Sequence, residues 1–454
     1  MSQTPRGRIA ALAAGALCLA GALALLHLTL PEGVARETVT IAGPGGRVCG
    51  GTLWLPPNPA AVVVIGHGVT ENRGCMAALA KLFSANGHAV MAVDFWGHGR
   101  ARVPFDWKAN PEQIHAWCAW AQERFPGLPL GYVGHSMGGF AGSDAFAEDA
   151  HGVGAFIALG ALPRRIPKPK TLIAAGRFEE LFSPEEALRK AGGDADVLIS
   201  PRSNHALEPW DFTLGRGMVE WMTAALAVER PLSFSAVRHF AALLAAPLGV
   251  LAAFLLAAVA AGCAARAKAA ETRTPFGFGA RFSPYRPAAR LFGCGNPSGL
   301  VRVSPPLTAL LRAAAFCAVF VLVLSLVLDR HFFTSLPVHP GRTVKWLGLG
   351  GILSGVALLD LWLLNRATPN RGVRLFLVAA LTRMFPWVLG GLVLYLLVPV
   401  AAFGGMMLFI LAFILGMVSL AQAAVVRVTG DPRAGALAAG MLAAYVFAYW
   451  FPVT

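Results

Sequence analysis

Seven apolar runs, each long enough to cross a bilayer, restrict this chain more than any other feature of its sequence. At 1.5 Å rise per residue, a helix needs about 20 apolar residues to span the hydrocarbon. "IAALAAGALCLAGALALLHLTL" (9–30) satisfies this, as do runs at about 239–263, 306–328, 346–365, 375–399, 403–426 and 434–452. Helices that are apolar all round belong in lipid or in a very large core. The run at 375–399 is broken by "TRMFPW" and also reads as an interfacial helix followed by a short or re-entrant one. The expectation of about seven crossings is therefore open by one. The small-residue stretch "GLGGILSG" (348–355) suggests close helix packing, and Asp360 and Arg383 are the ionisable residues of interest within the runs. They read equally as a packing ion pair or as side chains reaching for an interface.

Composition agrees with a polytopic membrane protein: 56% of residues are hydrophobic and only 14% charged. The net charge of +14 does not point to nucleic acid, because the basic residues flank apolar runs, where they orient helices and touch anionic headgroups. The segment 264–305 carries Arg266, Lys268, Arg273, Arg281, Arg286, Arg290 and Arg302 against the single acid Glu271, and is expected in the cytoplasm. Arg6 and Arg8, the loop with Arg366, Arg371 and Arg374, and the turn with Arg427 and Arg433 fall on the same side under seven crossings. The first run has no A-x-A site after it, and Leu17 spoils a lipobox before Cys18, so an uncleaved signal anchor is expected over 1–36. The seven cysteines are dispersed without metal-ligand spacing, so neither a zinc site nor a disulfide framework is expected. No cofactor is expected.

Between residues 37 and 230 the pattern changes to short β-type runs alternating with amphipathic stretches. The strand candidates are "TVTIA", "CGGTLWL", "AVVVIG", "AVMAVDF", "LGYVG", "GAFIALG", "KTLIAAG" and "DVLIS". Helices are expected at about 72–86, 110–124, 137–150, 183–191 and 209–226. Such alternation implies an α/β domain with a doubly wound, mostly parallel sheet covered on both faces. The polytopic all-α part, 231–454, follows it. With the first run as anchor, the α/β domain is expected outside the cytoplasm, on the outer side of a bacterial inner membrane.

Inside this domain "LGYVGHSMGGF" reads as strand, sharp turn and helix, with Ser136 at the apex between Gly134 and Gly138. That is the pattern of a nucleophile elbow. A serine hydroxyl is a weak nucleophile unless a base takes its proton and a third group orients the base. The rest of the domain must supply both.

Three stretches together resemble the α/β-hydrolase superfamily, and within it the uncapped dienelactone-hydrolase-like and monoglyceride-lipase or serine-aminopeptidase-like members. They are "VVVIGHGVTENR" (62–73), "AVDFWGHGRA" (92–101), which holds Asp94 and His98, and "VGHSMGG". The resemblance covers about 37–228 and none of the membrane part. It implies Ser136 as nucleophile and the N–H groups of Val69 and Met137 as the oxyanion hole, with His67 and Gly68 shaping the turn. The order serine, acid, histidine places the acid in "AAGRFEELFSPEEA", at Glu179 with Glu180 as rival, and the base at His205 in "PRSNHALEPW". His151 comes too early in that order, and His67 and His98 read as loop histidines.

Between "FIALG" and "KTLIAAG" only a short basic link is present where many relatives insert a lid. These features lead to the expectation of a membrane-integrated serine hydrolase cleaving lipid-like carboxylic esters. An acyltransferase, a peptidase or amidase, and a transporter or sensor with an accessory hydrolase-like domain are the alternatives.

Overall fold

The computed structural model describes residues 5–264, 270–273, 291, 300–303, 305–329, 332, 340–367, 373–398 and 401–450. Two compact units emerge, one centred on Ala22–Ala246 and one formed mainly by Pro247–Ser325 and Pro340–Tyr449.

In the first unit, eight strands form one sheet: β1 (Ala35–Ala42), β2 (Val48–Leu55), β3 (Ala61–Gly66), β4 (His88–Asp94), β5 (Leu130–His135), β6 (Val153–Leu159), β7 (Lys170–Phe178) and β8 (Asp196–Asn204). Their order is β1-β2-β4-β3-β5-β6-β7-β8. Strand β2 runs antiparallel to β1 and β4, and every later pairing is parallel. The continuous apolar runs of β3 and β5 are buried throughout, as a strand with both faces covered requires.

Side chains alternate across the sheet with period two, so each strand feeds two cores. Val62, Val64, Tyr132 and Phe156 pack with Ile114 and Trp117 of α3 (Asn110–Arg124) and Ala141 of α4 (Met137–Ala145). Val63, Ile65, Val133 and Ile157 pack with Leu79 and Phe83 of α2 (Ala77–Ala85) and with Met218 and Met222 of α6 (Phe212–Ala225). Each fully buried large side chain contributes about 1.5–3 kcal/mol. Helix α5 (Pro184–Ala191) lies by β7 and β8, opened by a Ser183–Glu186 capping box and closed by left-handed Gly192.

Among the described residues, six helices are long and apolar enough to cross a membrane: Arg6–Leu28, Ala236–Cys263, Pro306–Leu328, Gly341–Leu364, Val373–Leu397 and Ala402–Thr429. They belong to α1 (Pro5–Leu28), α7 (Ala236–Cys263), α8 (Pro306–Leu328), α9 (Pro340–Ala367), α10 (Val373–Leu397) and α11 (Ala402–Thr429). The chain is a membrane-spanning protein by this measure. The last run forms α12 (Pro432–Trp450), 19 residues that do not join the six. Helix α10 continues through Pro386, so "TRMFPW" does not divide it. Most of the basic segment 264–305 lies outside the described residues; a short antiparallel pair, β9 (Ala270–Arg273) with β10 (Leu300–Val303), is described within it.

Arg383 on α10 pairs with Asp360 on α9 and donates to Ser419 Oγ at 3.0 Å and to Gln422 Oε1 at 2.8 Å, both on α11. Of the two sequence readings, the structure has the packing pair. The glycines of "GLGGILSG" behave otherwise than expected: a Cβ added at Gly348, Gly350, Gly351 or Gly355 would meet nothing within 4 Å. Close approach occurs at Ser354 of that stretch, whose backbone lies 2.5 Å from a Cβ built on Gly440, and between Gly391 and Gly405.

Candidate active site

The strand β5 ends at His135 and α4 begins at Met137, leaving Ser136 alone to reverse the chain. Its φ of 48° and ψ of −112° are strained for a side-chain-bearing residue, and its N–H is tied to Leu159 O at 2.8 Å. Such a turn closes only if its neighbours lack side chains. A Cβ on Gly134 would lie 2.3 Å from the Gly138 carbonyl carbon, and one on Gly138 would lie 2.7 Å from that of Gly66.

The structure brings Ser136, His205 and Glu179 together. Ser136 Oγ lies 3.0 Å from His205 Nε2, and His205 Nδ1 lies 2.9 Å from Glu179 Oε2. Glu179 follows β7, and its Oε1 accepts the Leu181 N–H at 2.8 Å. Burial opposes the charge on Glu179, but its contacts with His205 outweigh this and hold its pKa below the usual carboxylate value. Glu180 faces elsewhere: it accepts the backbone N–H of His205 at 2.9 Å and the Asn204 amide at 3.1 Å, fixing the loop that carries the histidine.

Gly68 donates its N–H to Glu71 Oε2 at 2.6 Å, which leaves the Val69 N–H as the next donor of that loop. Met137 opens α4, where an N–H has no intrahelical acceptor. His67 is locked in one neutral tautomer, its Nδ1–H donating to Gly68 O and its Nε2 accepting the Phe95 N–H. Asp94 accepts the N–H groups of Arg73 and Arg100, and so ties the two loops at this end of the sheet. His98 contacts Trp96 O, and His151 sits in the turn before β6. Neither joins the Ser136 cluster.

Three residues near the site were not visible in the sequence. His135, the variable position inside the elbow motif, has Nδ1 at 2.9 Å from Glu71 Oε2 and Nε2 at 3.2 Å from His205 O. Both contacts are met only by a doubly protonated ring. Burial works against that charge, yet the facing Glu71 carboxylate prevails and raises the His135 pKa. Glu71 is correspondingly lowered: its burial is overcome by His135. Glu208, wholly buried just after His205, accepts the Gly176 N–H at 2.7 Å and lies against the Glu179 carboxylate. Its other oxygen accepts no hydrogen bond among the described residues and lies 3.7 Å from His135 Nε2. Burial, then the charge of Glu179, pushes Glu208 well above the ordinary carboxylate pKa, so it is the protonated member of the pair.

A family model described as serine aminopeptidase, S33, matches residues 57–207, a span that contains the elbow, Glu179 and His205. The domain is an α/β-hydrolase. Over 109 residues the chain is 37% identical to the monoacylglycerol lipase of Mycolicibacterium smegmatis, covering 23% of this chain and 39% of that one. Over 91 residues it is 32% identical to the human monoglyceride lipase, covering 19% and 30%. The chain thus spans well under half the length of these two curated relatives. Among solved structures, a cold-adapted esterase from an Arctic intertidal metagenomic library aligns with TM-score 0.36 and 20% identity, over 43% of this chain and 95% of that one. The dienelactone hydrolase of Anabaena variabilis aligns with TM-score 0.38 and 18% identity, over 44% and 100%. In this hydrolase domain, the ten residues 160–169 between β6 and β7 form neither helix nor strand.

Proposed function

We propose that the hydrolase domain is a serine ester hydrolase working through an acyl-enzyme. The observation that carries this reading is the line of contacts from Ser136 Oγ through His205 to Glu179, at 3.0 and 2.9 Å. His205 Nε2 takes the hydroxyl proton as Ser136 Oγ attacks the ester carbonyl, while Glu179 holds the imidazolium at Nδ1. The N–H groups of Val69 and Met137 hold the developing oxyanion. His205 then hands its proton to the departing alkoxide, which leaves as an alcohol. Water, deprotonated at the same nitrogen, cleaves acyl-Ser136 to the carboxylic acid and restores the enzyme.

The substrate we assign is a lipophilic ester of the acylglycerol type. The two relatives named for monoacylglycerol or monoglyceride support this, as does the short β6–β7 link. Exposed Val69, Phe178, Leu181 and Leu207, on the loops that carry the site, would suit an acyl chain. The placement of lysine and arginine supports a hydrolase domain outside the cytoplasm.

Labelling of the full-length protein in detergent by a fluorophosphonate probe tests the chemistry. Label is expected in the wild type and absent in Ser136→Ala and His205→Ala. Glu179→Ala should slow it by at least tenfold and Glu180→Ala by much less; the reverse order would move the acid. Persistence of label in Ser136→Ala would sink the reading. The aminopeptidase family model favours amide cleavage as the rival. Faster turnover of p-nitroanilides than of matched p-nitrophenyl esters would select it.

A further inference from the structure

Away from Ser136, a cavity of about 270 Å³ lies within the unit that holds the hydrolase domain. Its lining comes from the segment just after α1 (Thr29, Pro31), from α2 and from the beginning of α7. Three basic side chains line it, Lys81, Arg230 and Arg238, with Glu32 as the opposing acid. No carboxylate among the described residues pairs with Lys81 or Arg238. Leu82, Ala242 and Leu243 supply an apolar wall, and His239 completes the polar one. Partial burial, reinforced by Arg36, lowers the Lys81 ammonium to about 8, as expected of a cation lacking a counter-ion.

The position along the chain adds a second argument. The chain leaves one candidate span at Leu28 and enters the next at Ala236, and the cavity is lined by residues immediately beside both points. These residues therefore stand at the boundary between hydrocarbon and water, the level occupied by phospholipid headgroups. The volume lies just below the lower bound of about 300 Å³ typical of a drug-sized ligand, which is room for a headgroup. Guanidinium and ammonium donors are the groups that bind phosphate oxygens.

From these observations we infer that the cavity is a binding site for the phosphate-bearing headgroup of an anionic phospholipid, seated on Lys81 and Arg238 with its acyl chains left in the bilayer. The site is separate from Ser136 and does not depend on the ester hydrolase reading. It also differs from the basic segment 264–305, which belongs to the other end of α7.

Native mass spectrometry of the delipidated full-length protein provides the test, using ether-linked dioctyl phosphatidylglycerol, which no esterase can cleave. The wild type should bind it at least tenfold more tightly than ether-linked phosphatidylcholine, and inorganic phosphate should compete only weakly. Lys81→Gln with Arg238→Gln should remove that preference, whereas Lys81→Arg should keep it. Equal binding of the two lipids by the wild type overturns the site. So does competition by phosphate as effective as by lipid, which would make it a site for the free ion. A photoactivatable phosphatidylglycerol applied to the wild type needs no variant to fold. Cross-links should fall on peptides containing 78–85 and 230–243, and cross-links confined to other segments would refute the assignment.

Discussion

Glu208 sits with one oxygen on the Gly176 N–H and its carboxyl against Glu179, and two carboxyls in contact cannot both ionise at modest cost. The pair keeps one proton, held on Glu208, and the charge stays on Glu179 beside the imidazole. The folded chain therefore binds a proton that the unfolded chain releases above the ordinary glutamate pKa of about 4.3. This group's contribution to stability is complete below that pH. It declines as pH rises toward the elevated folded value, with a slope of about 1.4 kcal/mol per unit. Glu208→Gln presents an amide donor with no proton to lose, and should flatten that part of the profile. Thermal unfolding of wild type and variant between pH 5 and 8 reads the difference: the two curves should diverge with rising pH, the variant becoming the more stable. Parallel curves would mean that Glu208 is ionised in the folded protein. Turnover of Glu208→Gln should stay within about threefold of wild type if the residue positions Glu179 by donating a hydrogen bond.

At the level of elements, the elbow depends on backbone meeting backbone. Gly134→Ala would press a methyl against the Gly138 carbonyl carbon at 2.3 Å, and neither β5 nor α4 can yield without moving Ser136. The variant should lose about 1–3 kcal/mol or more of stability, and its fluorophosphonate labelling should fall further than its melting temperature alone accounts for. The strands of this region were legible because β3, β5 and β6 are uninterrupted apolar runs bounded by glycine or histidine, and the elbow motif sits where β5 hands over to α4. Helix starts were less legible. The helix expected from residue 72 begins at Ala77, because Asn72 folds 72–75 into a turn by accepting the Gly74 N–H and the Cys75 N–H. The one expected from 209 begins at Phe212, after a 3-10 turn at Glu208–Trp210 and an Asp211 cap. Glu71, His135 and Glu208 escaped notice for another reason. Each acts through a partner 25 or more residues away, such as Glu71 on His135 and Glu208 on Gly176, and local pattern carries no trace of such contacts.

Across the whole molecule, the lysine and arginine asymmetry supports the proposal that the hydrolase domain lies outside and the far end of α7 inside. Membrane-impermeant maleimide applied to spheroplasts should label Glu185→Cys, an exposed position on α5, without permeabilisation. Exposed Cys263, at the C-terminal end of α7, should react only after the membrane is opened. The opposite pattern would invert the topology. Only ten irregular residues join β6 to β7, so on the proposed ester hydrolase reading no segment inserted there has to swing aside before the substrate enters. Progress curves on lipid vesicles should start at full velocity, with no lag as substrate aggregates form, and speed should follow how many ester molecules share each patch of membrane instead of how many are dissolved in the bulk.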